Sequence, residues 1–64
     1  MSLVQQNITR LLREAARTLT LVEITDLLNR IEQRPTPYTY DEVRGQLEQM
    51  DEIHESRGRY TLKG

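Results

Sequence analysis

The chain has 64 residues, 36% hydrophobic and 30% charged, with no cysteine, no tryptophan and a formal charge of −1. That length holds one compact domain, so a single domain over residues 1–64 is expected. A domain this small hides only about 60% of the surface its unfolded chain exposes; lacking cysteine for disulfides or a thiolate zinc site, it must be held by helix packing.

Val4, Ile8, Leu11, Leu12 and Ala15 predict a first helix over about residues 2–16, because the spacing from Ile8 onward puts them on one face. Thr18, Leu19 and Thr20 suit a short extended link. Thr20-Leu21-Val22-Glu23 is a capping box: the threonine oxygen accepts an amide of the first turn, and Glu23 reaches back to the cap amide. It opens a second helix with Ile24, Leu27, Leu28 and Ile31 as its apolar positions. Pro35 and Pro37 then predict a loop over residues 33–38. Thr39-Tyr40-Asp41-Glu42 is a second capping box, opening a third helix whose inner stripe reads Tyr40, Val43, Leu47 and Met50. Beyond Asp51 the pattern alternates. Ile53-His54-Glu55-Ser56 and Arg59-Tyr60-Thr61-Leu62 flank Arg57-Gly58, which predicts a β-hairpin.

The expected fold is mainly α with a small β-hairpin: a winged helix-turn-helix, three helices plus a wing. A bare three-helix bundle with a frayed tail is its competitor. In a DNA-reading helix-turn-helix the recognition helix carries polar and basic side chains to the bases. Here the third helix would point Asp41, Gly45, Glu48 and Glu52 outward, and residues 41–52 hold five acids and one base, Arg44. Phosphate contact needs lysine or arginine, so this face suits a basic protein partner better than DNA.

The cations lie elsewhere. Arg10, Arg13 and Arg17 are spaced as a stripe on the first helix, opposite its core face. Arg57, Arg59 and Lys63 fall on the wing. Either set can meet phosphates or an acidic partner, or form a solvated face, with Arg13 and Arg17 also suited to a helix C-terminus. These six are the candidate nucleic-acid-binding residues, and too few to assign that function on charge alone. Gly45 either marks a close approach by a partner or is a tolerated defect. His54 has neither a second histidine nor a cysteine to complete a metal site and belongs on the solvent side of a strand. Tyr38, Tyr40 and Tyr60 can be read as a base-stacking platform or as core and rim; spacing favours the latter. No catalytic arrangement or glycine-rich phosphate loop is present, so no enzyme, cofactor, metal or small-molecule substrate is expected.

Arg13-Glu14-Ala15, Leu28-Asn29-Arg30, Glu42-Val43, Leu47 and Met50 resemble the C-terminal winged helix of minichromosome-maintenance helicase subunits, over about residues 8–62. In part, Leu19-Thr20-Leu21-Val22-Glu23-Ile24 with Ile53 and Gly58-Arg59-Tyr60-Thr61-Leu62-Lys63 looks like the core winged helix of the small subunit of general transcription factor E. The loop between helices two and three departs from the latter, being shorter and proline-rich. Both resemblances imply an accessory module of a large assembly, working mainly through protein contacts, with weak duplex DNA contact in the transcription factor. Neither transfers a binding residue. The expected function is therefore a non-enzymatic interaction module of a DNA replication or transcription assembly. The alternative is a small DNA-binding regulator docking through its wing and first helix. No apolar run approaches the roughly 20 residues of a membrane helix and no signal-peptide pattern is seen, so an intracellular setting is expected, nuclear if the source is eukaryotic.

Overall fold

Ser2 stands in extended backbone, and its hydroxyl accepts the Gln5 amide at 3.3 Å, so the first helix, α1, starts behind it at Leu3–Ala15. Ala16 ends it in the left-handed region, φ 53°. The computed structural model describes residues 2–63; Met1 and Gly64, the ends of the expected domain, lie outside the described residues. Leu19–Thr20 form a two-residue strand, β1, where the sequence suggested only an extended link.

Both capping boxes form. Thr20 accepts the Glu23 amide at 3.2 Å while Glu23 Oε1 accepts the Thr20 amide at 2.9 Å, opening α2 at Leu21–Glu32. Thr39 and Glu42 repeat the exchange at 3.1 and 2.8 Å, opening α3 at Tyr40–Glu48. These backbone hydrogen bonds from the threonine amides are the largest cause holding the Glu23 and Glu42 carboxyls below their ordinary pKa. Between α2 and α3, Asn29 grips Tyr38 from both sides: its Oδ1 accepts the Tyr38 amide at 2.7 Å, and its Nδ2 donates to the Tyr38 carbonyl at 3.2 Å. The proline loop is thereby pinned to α2.

The hairpin consists of β2, Ile53–Ser56, and β3, Arg59–Leu62. Arg57 and Gly58 both have positive φ, 55° and 78°, the arrangement of a two-residue type I′ turn whose twist matches the flanking strands. Glu55 closes the turn by accepting the Gly58 amide at 2.7 Å. The sheet is antiparallel in the order β1-β3-β2, with Leu19 opposite Tyr60 and Ile53 opposite Leu62. The chain thus forms three helices and a three-stranded antiparallel sheet.

Ile8, Leu11 and Leu12 of α1, Leu19 of β1, Ile24 and Leu28 of α2, and Val43 and Leu47 of α3 with Met50 make one buried core. Tyr38, Tyr60 and Leu62 pack at its edge. Two stripe positions differ from expectation. Tyr40 is 47% exposed, because it is the first residue of α3 and Tyr38, two residues earlier, takes the inward place. Ile31 is 44% exposed, in the last turn of α2, where the core has ended. Met50 stays buried although α3 has stopped, since its amide bonds the Leu47 carbonyl at 3.2 Å and tightens the exit turn.

Thr25, in the middle of α2, is 1% exposed, and its hydroxyl has no hydrogen-bond partner among the described residues. Valine has the same shape without the buried polar atom. Thr25→Val is therefore expected to raise unfolding stability by about 1 kcal/mol, measured by urea denaturation.

Candidate interaction surface

Asp41, Arg44, Gly45 and Glu48 fall on one face of α3 by their spacing. Arg44, the helix's one cation, donates to Asp41 at 3.2 Å in an exposed i,i+3 pair. Glu48 is exposed and has no hydrogen bond or ion pair among the described residues. Glu52 does not belong to this face. The helix ends at Glu48, and the Glu52 carboxylate turns toward α1 to accept the Thr9 hydroxyl at 3.4 Å. A Cβ built on Gly45 meets nothing within 4 Å, so no packing in the monomer requires glycine there. Gly45→Ala is expected to stabilise the fold by about 1 kcal/mol in thermal unfolding.

Between α3 and the hairpin lies a groove of about 360 Å³. Leu47, Met50, Ile53 and Tyr60 supply its apolar lining, and Glu48, Asp51 and Glu55 stand on its rim with Arg44 and Lys63. Tyr60 and Glu55 are opposite one another across the strands and so face the same side of the sheet. His54 and Thr61, and Ser56 and Arg59, make up the other side. His54 is exposed there, as expected.

The six candidate cations are not gathered into one surface. Arg10 and Arg13 are exposed on α1, with Arg10 donating to Asn7 Oδ1 at 3.3 Å. Arg17 does not continue their stripe. It lies beyond the end of α1 and donates to Glu23 at 3.4 Å and to the Thr18 carbonyl at 3.2 Å, because the left-handed Ala16 redirects the chain. Arg57 occupies the hairpin turn and Arg59 the outer side of β3; both are exposed and without a side-chain partner among the described residues. Lys63 lines the groove on the opposite side. The three hairpin cations are therefore divided between two faces.

One polar network escapes a reading of the sequence. Asn7 on α1 is 8% exposed and donates through Nδ2 to Glu32 Oε2 at 3.0 Å. The Tyr38 hydroxyl donates to the other Glu32 oxygen at 2.8 Å, and the Arg34 guanidinium lies 4.1 Å from the Tyr38 ring centre. Burial, reinforced by the Glu32 charge, raises the Tyr38 pKa. Nothing local in the sequence marks Glu32, because its partners lie on α1 and in the following loop. The network holds the loop that feeds α3 and so fixes where the α3 face begins.

Among the described residues, no helix is long and apolar enough to cross a membrane. Compared with known proteins, the chain matches no family model, no curated protein and no solved structure.

Proposed function

We propose that the chain is a winged-helix module, non-enzymatic, of a DNA replication or transcription assembly, acting mainly through protein contacts. The element order helix, strand, helix, helix, hairpin, with the strand before α2 joined to the far strand of the hairpin, supports the winged-helix assignment. The kind of assembly rests on the resemblance to helicase and transcription-factor winged helices. The observation that carries the protein-contact reading is the charge of α3. The helix that would enter a DNA groove in this plan carries Asp41, Glu42 and Glu48 against one arginine, Arg44, which lies 3.2 Å from Asp41.

A second reading, duplex DNA held by the hairpin, is favoured by Arg57 and Arg59, which are exposed and have no side-chain partner among the described residues. One experiment separates the two: fluorescence anisotropy of a short labelled duplex at low salt. With protein contacts as the main task, the chain binds the duplex weakly or not at all, and Asp41→Lys with Glu48→Lys increases binding by relieving repulsion. Tight, salt-sensitive binding that is lost on Arg57→Ala with Arg59→Ala moves the assignment to the second reading. Loss of tight duplex binding on reversing Asp41 and Glu48 would overturn the first.

A further inference from the structure

We propose that the groove between α3 and the hairpin is the docking site for a basic, amphipathic peptide segment of a partner protein. The inference rests on the protein-contact reading above and names the occupant. Its first support is shape. Leu47 and Met50 close the base of the groove, while Ile53 and Tyr60 are only partly buried along it, leaving apolar surface within reach of an inserted side chain.

Charge supplies the second support. Three carboxylates, Glu48, Asp51 and Glu55, stand around this apolar strip. Of the two cations beside them, Arg44 is already paired with Asp41 and only Lys63 is uncommitted among the described residues. The rim therefore carries an excess of negative charge. A segment that inserts leucine-like side chains and lays lysines or arginines along the edges complements both features. Helices binding in such grooves present their apolar anchors at i, i+3, i+4 and i+7. An acidic segment or a nucleic-acid backbone meets like charge at Glu48 and Asp51. Both acids are exposed and make no side-chain hydrogen bond or ion pair among the described residues, so they are available to a partner and replaceable without loss of the fold.

The test uses isotope-labelled protein and a synthetic peptide with leucines at those four helical positions and lysines elsewhere. The expected result is movement of the amide signals of Leu47, Asp51, Ile53, Glu55 and Tyr60. Glu48→Lys with Asp51→Lys should weaken binding about tenfold. A charge-matched control, Glu14→Lys with Asp26→Lys on the outer surfaces of α1 and α2, should leave it within about twofold. Equal weakening by both pairs would mean unspecific charge attraction and overturn the site. Equal binding of a peptide with glutamates in place of the lysines would overturn the basic occupant. Dilution alone moving the same signals would assign the groove to a second copy of this chain. No movement with the lysine peptide would overturn the inference, leaving the protein-contact reading to be decided by the DNA measurements.

Discussion

Leu28→Ala is expected to remove about half of the stability of this domain. Leu28 is fully buried, on the helix that packs against both α1 and α3, so its truncation opens a void where three helices meet. Such a change costs about 2–5 kcal/mol, the transfer of the lost carbons plus the cavity that the surroundings fail to close. At the usual 0.05–0.15 kcal/mol per residue, a chain of this length has only about 3–10 kcal/mol to lose. The urea midpoint should collapse, and at the lower end of that range the amide spectrum should lose its dispersion. A loss below about 1 kcal/mol would mean that α2 is not the centre of the core.

The second large effect is expected from Glu32→Ala. Its two oxygens accept from Asn7 at 3.0 Å and from the Tyr38 hydroxyl at 2.8 Å, tying α1 to the loop before α3. Truncation leaves the Asn7 amide group, 8% exposed, without that acceptor. An unsatisfied buried donor costs about 1–3 kcal/mol. Titration of Tyr38 gives an independent readout. Its raised pKa should move back toward the ordinary value but not reach it, since burial, the larger cause, remains. An unchanged Tyr38 titration would contradict the hydrogen bond even if stability fell.

What could be read from the sequence was local chemistry. The boxes at Thr20–Glu23 and Thr39–Glu42 specify helix starts within four residues, and both form. The Arg57-Gly58 turn is equally local, and its strands have the expected bounds. β1 was beyond such reading: two residues become a strand only because Tyr60 and Arg59, some forty positions later, pair with them. The end of α3 carries no proline, glycine stop or basic last turn, and the apolar stripe runs on to Met50. Extending the helix past Glu48 therefore put Glu52 on the wrong surface, when it is fixed against Thr9. Likewise, spacing could not show that Ala16 would turn the chain and deliver Arg17 to Glu23.

For function, the same contrast separates residue charge from residue placement. The acidity of α3 was legible at Asp41 and Glu48. The groove was not, because Asp51, Glu55 and Tyr60 become its neighbours only when the hairpin folds back beside the helix. Nor was it legible that Lys63 would stand there and not with Arg59.

The measurement that bears most directly on the proposed role of α3 is chemical-shift mapping of labelled protein titrated with duplex DNA at about 50 mM salt, where phosphate-driven binding is strong. The amides of Asp41, Arg44 and Glu48 are expected to stay in place, with any movement confined to the cation-bearing segments of the hairpin and α1. Movement concentrated on α3 and fading toward about 200 mM salt would contradict that role, because the helix assigned to a protein partner would then be reading DNA.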